Sequence, residues 1–489
     1  MLDWTQSLES LEREIRRGDG AAAGARLGGL PLSRAPREHR ARLAALARRL
    51  GQHDLGLRLL YPLVRPAARR PVEATPEEKL QYAACLDKIG ASGEALEILN
   101  ALDPAGSPQV LLHRAFARIS VWDYAAAIPV LNEYLERVKD PYALLVGKVN
   151  LLSALVYERC HGEAERIAAE VLLASMGPDQ ALVRGKCLQL VASDRVLRGE
   201  PARAREPLEE AARLVGGTPG LDAFFVRKWT DFRICRELGG AGESESRLAA
   251  LRQDALKIRH WESVRDCDRF HAILTGDRAR FLHLWFGTPH EGFRRWLLHD
   301  FPERVPLPDF YDWQPLGPGG AKFELARVAP RTARSEALLA ARILASMLCD
   351  FYRPVTVAEL HAEIYPGEYF NPISSPARVK VALRRFGAWL KTQRLPLGIA
   401  REKGFLGLYA DAACRVRIPR AGQTPALPMD RVLGVLHERL GGARFTSSAA
   451  SAVLKVSLRT AIRVLNEAAE AGRAEREGTG RATRYRLVA

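Results

Sequence analysis

The chain has 489 residues, long enough for two or three domains with buried cores. Hydrophobic residues make up 47% and charged residues 27%, which excludes disorder as the default state. The net charge of +16 is uneven: residues 331–489 hold 26 Lys and Arg against 13 Asp and Glu, whereas residues 1–330 hold 47 against 44. An Arg-rich composition alone explains the arginines but not their imbalance at one end. A basic third of a chain attracts polyanions, of which duplex DNA is the commonest.

The first twenty residues read as an amphipathic polar helix, not a signal peptide. From about residue 35 to 275 one pattern recurs: an apolar helix, a short turn, then an Ala-Leu helix. The turns fall near Gly51, Gly90, Trp122, Gly162, Gly199 and Gly240, at a spacing of paired-helix solenoids. In one copy Ala83, Leu86 and Ile89 line the first helix, and Ala95, Leu96 and Leu99 the second. Small alanines allow close helix approach and leucines fill the groove. Each pair leaves an apolar face that must stack on a neighbour. Through Gly90, Ala95, Trp122, Tyr124 and Ala127 this half resembles the tetratricopeptide-repeat family. The resemblance implies a surface for a protein or peptide partner or a second subunit.

Residues 276–334 are rich in aromatics, Pro and Gly. They read as a cap and linker, with Trp285, Phe286, Trp296 and Trp313 expected to cover the last repeat rather than line a ligand pocket.

From residue 335 to 420 the pattern predicts three helices and a hairpin, the order of a winged helix. The first helix presents Leu338, Ile343, Leu344 and Leu348, and the second stops at Pro366-Gly367. The third opens at Ser375-Pro376 and places Val379, Leu383, Phe386 and Leu390 on one line. Opposite lie Ala377, Val381 and Ala388, flanked by Arg378 and Arg385 on one side and Lys380, Arg384 and Lys391 on the other. No acid interrupts this helix, and one-sided charge favours a DNA-facing role. Through Leu360, Tyr365, Val381, Leu383, Phe386 and the hairpin from Ile399 to Tyr409, the region resembles the OmpR/PhoB-type winged helix. Its loop between helices two and three is longer and contains proline. No receiver domain precedes it, so control by aspartate phosphorylation is not implied.

Residues 428–489 predict a second module. Val432, Val435, Leu436 and Leu440 face inward on its first helix, and Thr446 or Ser447 caps the next. A recognition helix starts at Ser457 and stops at Gly472. Leu458, Ala461, Ile462, Leu465 and Ala469 are expected to form its buried stripe. Arg459, Thr460 and Arg463 then face outward in the first two turns, where arginine can contact guanine bidentately. A hairpin with its tip at Gly478-Thr479-Gly480 carries Arg481, Arg484 and Arg486, suited to phosphates. Through Ser457, Arg459, Thr460, Arg463, Leu465, Gly480, Arg481, Thr483 and Tyr485 the region resembles DeoR- and MarR-like winged helix-turn-helix domains. That resemblance implies DNA contact, with protein docking as the alternative.

Chemistry is sparse. The seven cysteines lack metal or disulfide spacing and predict buried thiols in a reducing compartment. Gly317 to Lys322 only echoes a phosphate loop, and His283, His290 and His299 are poorly spaced for one metal. No apolar run of about 18 residues predicts a membrane span. The expectation is a mainly α protein: a helical-repeat solenoid followed by two small α+β winged-helix domains. It is cytoplasmic, non-enzymatic and without cofactor or metal, with double-stranded DNA and a protein or peptide as partners. The competing reading is a scaffold whose winged helices dock proteins.

Overall fold

A computed structural model describes the chain except residues 1–2, 17–19, 66–72, 178–179, 216–240, 258, 302–304, 317–319, 325–334, 366, 403, 421–432, 434, 438, 455–457, 471–472, 479–482 and 489. The chain divides into two units: residues 1–307 with 313–416, and residues 308–312 with 417–489. The protein is mainly α, a run of helix pairs followed by small three-stranded sheets.

The pairs begin with α1 (Trp4–Arg16) and α2 (Gly20–Gly28). They continue with α3 (Arg37–Arg49) and α4 (His53–Val64), α5 (Pro76–Lys88) and α6 (Ser92–Asn100), and α7 (Gln109–Ser120) and α8 (Tyr124–Arg137). Next come α9 (Pro141–Tyr157) and α10 (His161–Ala174), then α11 (Ala181–Leu197) and α12 (Arg205–Val215). After the gap follow α13 (Ala241–Lys257) and α14 (Trp261–Thr275), then α15 (Arg278–Phe286) and α16 (Glu291–Asp300).

In six of the eight pairs one turn joins the partners, repeated with little change. A single residue takes the left-handed conformation: Gly51, Gly90, Trp122, Arg159, Gly199 and Arg259. The following N–H reaches back to the last helical turn, as in Gln52 to Ala47, Ala91 to Leu86, Asp123 to Arg118, Cys160 to Leu155, Glu200 to Arg195 and His260 to Ala255. This is the Schellman stop, which satisfies carbonyls that the helix end orphans. The turn expected near Gly162 moves accordingly. Arg159 takes the first position and leaves Gly162 inside α10, while Gly240 lies outside the described residues. Non-glycine residues at three of the six turns explain why glycine alone misplaces them.

The small-residue rule holds in the packing. Ala44, Ala83, Ala95, Ala115, Ala127, Ala154 and Ala164 are buried among Leu57, Leu60, Leu86, Leu131 and Leu155. Leu96 is only half-buried; Ile98 takes the core position beside Leu99. Thr75 caps α5 in a full capping box with Glu78, and Pro76 opens the helix.

The aromatic segment folds differently from a simple cap. Residues 278–300 form the pair α15 and α16, and it packs back on a pair some 140 residues earlier. Phe293 and Trp296 meet the Trp122 ring edge-on at centroid distances of 5.1 and 6.0 Å, and the Trp296 indole donates to the Tyr157 carbonyl. A Cβ on Gly292 would collide with the Trp122 carbonyl, so the glycine allows this approach.

The first α+β module follows: α17 (Ser335–Met347), β3 (Val355–Thr356), α18 (Val357–Ile364), α19 (Ser375–Thr392), β4 (Leu397–Glu402) and β5 (Phe405–Ala410). Strands β1 (Phe310–Trp313), β2 (Ala321–Glu324) and β6 (Cys414–Pro419) flank it in sequence. The short strand before α18 has no signature in hydrophobic periodicity. It forms because β5 offers an edge, pairing Val355 with Leu406 in a sheet ordered β3-β5-β4. Ile343, Leu344, Leu348, Leu360, Leu383 and Phe386 are buried between helices and sheet, as the helix periods predict.

This module lies in the same unit as the helix pairs and packs on them. Arg265 of α14, fully buried, is ion-paired to Asp350, whose other oxygen accepts from the Tyr352 and Arg353 amides at 2.9 and 3.0 Å. Removing one partner of such a pair costs about 3–5 kcal/mol, because the other charge stays buried alone. The Phe351 amide donates to the Gly287 carbonyl. Thr356 Oγ1 donates to the Ile89 carbonyl at 2.6 Å while accepting from the Glu359 amide, so the α5–α6 turn sits on the N-terminus of α18.

In the second unit, β7 (Phe445–Thr446), α20 (Ser447–Leu454), α21 (Leu458–Glu470), β8 (Ala474–Glu477) and β9 (Arg484–Leu487) give a sheet ordered β7-β9-β8. Leu433, Leu436, Phe445, Ala450, Ala461, Leu465, Ala468 and Tyr485 form its core. Of the inward positions expected on the preceding helix, Leu436 is buried, Val435 and Leu440 are half-buried, and Val432 lies outside the described residues. Leu433 takes the missing core place.

Two outcomes follow from this packing. At Gly90 φ is +89°, and an added Cβ would press into the Glu359 side chain. Gly90→Ala is expected to destabilise the protein by about 1–2 kcal/mol from the backbone alone, read as a lowered denaturation midpoint without a change in slope. His290 caps no backbone group and sits near the charges of Arg265, Arg353 and Arg294; burial first, then Arg265, pushes its imidazole down to about 4. Its contribution to stability is complete above pH 6.5 and falls as the pH drops toward 4. The loss is at most about 1.4 kcal/mol per pH unit, since unfolding takes up one proton. His290→Gln should flatten that part of a stability-against-pH curve.

Candidate nucleic-acid interface

Helix α19 is an 18-residue helix without an acid. It buries Ser375, Val379, Ala382, Leu383, Phe386 and Leu390 on one side. Ala377, Lys380, Val381, Arg384, Arg385, Ala388 and Lys391 are exposed on the other. The two sets are those that the 3.6-residue period separates. Lys380, Arg384 and Arg385 form no ion pair among the described residues, so this face presents charge that none of those residues neutralises. Behind it, the stacked rings of Phe386 and Trp389, with Phe323 edge-on to Trp389 at 5.6 Å, fix the helix from the opposite side.

Arg378 belongs elsewhere. It forms a two-pronged pair with Glu368 and lies over the Tyr365 ring at 4.1 Å from the centroid. Those contacts hold its guanidinium above the usual arginine range, first through the Glu368 hydrogen bond. Sequence placed it with the free cations because Glu368 lies in the preceding loop, whose path no periodicity encodes. His361, just below, is buried with Nε2 3.0 Å from Ser375 Oγ, and burial followed by the nearby Arg378 lowers its pKa. Ser375 thereby supports the start of α19 from inside the core.

The hairpin β4–β5 turns at residues 403–404 in the register Glu402 to Phe405, with Gly404 at φ +87°. Arg401 is exposed near its end. Glu402 is ion-paired to Arg259, the left-handed residue of the α13–α14 turn, so the hairpin is tethered to a helix pair.

In the second unit the buried row of α21 is Ala461, Leu465 and Ala468, spaced i, i+4 and i+7. Leu458 and Ile462, expected inside, are 47% and 38% exposed. The helix is rotated from the expected stripe because Tyr485 and Phe445 of the sheet favour the small alanine face. Arg459 and Arg463 still occupy helical positions opposite the buried row; Ser457 and Arg481 lie outside the described residues, as do the side chains of Arg459, Thr460 and Arg463. Thr446 caps α20 through the Ala449 amide, and Tyr485 donates to Asn466 of α21 at 3.0 Å.

Thr483 is buried, which removes it from any DNA-facing set; a side chain just before β9 points into the module. Arg484 is exposed and forms no ion pair among the described residues. Its neighbours are not free: Arg486 pairs with Glu475, and Arg444 with Glu477, across the sheet.

Among the described residues no group of His, Cys, Asp and Glu could hold a metal, and no helix is long and apolar enough to cross a membrane. Of the cysteines expected inside, Cys85, Cys187, Cys267 and Cys414 are buried, whereas Cys160 and Cys349 are exposed at helix ends; Cys235 lies outside the described residues.

No protein-family description matches the sequence, and no curated protein does. Among solved structures the chain is similar to one described as "Crystal Structure of Rap Protein Complexed with Competence and Sporulation Factor". The two share 11% identity at a TM-score of 0.41, over 80% of this chain and 99% of that one.

Proposed function

We propose that the chain is a sequence-specific DNA-binding transcription regulator, with the helix pairs receiving a protein or peptide partner or a second subunit. The observation that carries the reading is the exposed, acid-free face of α19, with Lys380, Arg384 and Arg385 around the small residues Ala377, Val381 and Ala388. A helix with small residues at its centre and cations at its flanks fits a major groove: the alanines allow close approach and the cations meet phosphates on either side. In the second module Arg459, Thr460 and Arg463 are the proposed base-reading residues, and Arg484 a phosphate contact. We read the protein as cytoplasmic and as having no enzymatic activity, cofactor or metal.

Two measurements on the full-length chain test this. Lys380→Ala/Arg384→Ala/Arg385→Ala should weaken binding to any duplex. It should also reduce the slope of log K against log salt by about 2–3, near 0.9 for each phosphate contact removed. A slope equal to the unsubstituted chain's refutes a DNA role for α19. In the second module, Arg459→Ala should relax sequence preference at one base pair by about 1–3 kcal/mol, whereas Arg484→Ala should weaken all sequences alike. Two variants with the same effect would contradict the division of roles.

One observation favours the scaffold reading for part of the molecule. The first module already docks on protein, through residues 350–371 against the helix pairs. The exposed face of α19 lies away from those contacts, so docking and DNA binding are compatible on one module.

A further inference from the structure

The loop between α18 and α19 is the feature that sets the first module apart, and its irregular segment from Glu368 to Asn371 is held by side chains of two helix pairs. Phe370 is buried in the core of α4, α5 and α6. Its amide donates to Glu94 Oε2 at 2.8 Å, and its carbonyl accepts from the Tyr82 hydroxyl at 3.4 Å. The Tyr369 ring lies under the Arg65 guanidinium at 3.4 Å from the centroid, and its hydroxyl donates to Glu97 at 3.2 Å. The Asn371 amide donates to the Tyr61 hydroxyl at 2.8 Å. Arg65 is itself fixed by Glu94 at 3.2 Å.

These are the contacts of peptide recognition. Both backbone groups of one residue are satisfied by receptor side chains, one aromatic is buried, a second is stacked on a cation, and an amide is read by a hydroxyl. A helix–helix contact within a core needs none of them. Glu94 in particular is half-desolvated with its carboxylate on a main-chain N–H, and burial raises its pKa.

We infer that the surface of Tyr61, Arg65, Tyr82, Glu94 and Glu97 is a peptide-binding groove, filled in this state by the chain's own Tyr369-Phe370-Asn371. The ligand class is an irregular or extended peptide with two adjacent aromatic residues, the second buried, followed by a side-chain amide. The inference deepens the peptide-partner half of the proposed function and does not depend on DNA binding. A tethered segment acts at an effective concentration of about millimolar, so a free peptide of the same chemistry meets a groove already occupied. Such a peptide gains access only by displacing the loop that leads into α19.

The test is fluorescence anisotropy with a labelled synthetic peptide of the chain's residues 365–376, titrated with full-length protein. The Tyr369→Ala/Phe370→Ala protein, whose own loop no longer fills the groove, should bind the peptide at least about tenfold more tightly than the unsubstituted protein. Arg65→Ala added to that double variant should abolish the gain, and a peptide with both aromatics replaced by alanine should bind neither protein. If the double variant does not fold, Tyr369→Ala alone, at a half-exposed position, should still give a gain of about threefold. Equal binding by variant and unsubstituted protein, or a gain that survives Arg65→Ala, overturns the proposal. No DNA is present, so a negative result here leaves the DNA reading standing, and failure of duplex binding leaves this one standing.

Discussion

The first unit depends on the seating of one α+β module against helix pairs far from it in sequence. Three fixings act together: the buried Arg265–Asp350 pair, the Thr356 hydroxyl on the Ile89 carbonyl, and the Phe370 amide on Glu94. Each places a polar or charged group where it would be costly without its partner. The partners come from two helix pairs: α13–α14 for the first and α5–α6 for the other two. The module's orientation is therefore over-determined, and with it the orientation of the basic face of α19.

The helix pairs can provide these fixings because their turns are alike. A Schellman stop leaves its last carbonyls and its left-handed residue at a defined place. Two of these turns are used as contact points: Gly90 against Glu359 and Arg259 against Glu402. The same geometry that ends a helix thus holds a capping box on one side of the module and the β4–β5 hairpin on another. The α15–α16 pair contributes through Gly287 and packs through Phe293 and Trp296 on Trp122, closing the helical core across a long sequence separation.

The functional reading follows from what this seating leaves exposed. Contacts from residues 350 to 371 occupy one side of the module, and on the acid-free side of α19 Lys380, Arg384 and Arg385 are exposed without an ion pair among the described residues. The cation at Arg378, by contrast, is committed to Glu368 and Tyr365, next to the segment that packs on α4, α5 and α6. The docked segment and the basic face of α19 are thereby joined through one loop, that between α18 and α19.

The sequence by itself determined the helical period and what depends on it. The Ala-Leu pairs, the buried line Val379, Leu383, Phe386 and Leu390, and the exposed cations opposite were all legible, because a helix repeats its environment every 3.6 residues. The charge excess of the last third was legible by counting. Tertiary structure decided whatever required a partner distant in sequence. The strand Val355–Thr356 exists because β5 presents an edge. Arg378 is paired because the loop brings Glu368 back to it. Leu458 and Ile462 face outward and Thr483 inward because Tyr485 and Phe445 select the alanine face of α21. The loop at 368–371, legible only as unusually long, became a docked segment because Glu94, Tyr82 and Tyr61 meet it from some 280–310 residues away. Periodicity reports which side of an element is apolar; it carries no information about which surface that side, or an irregular loop, will find.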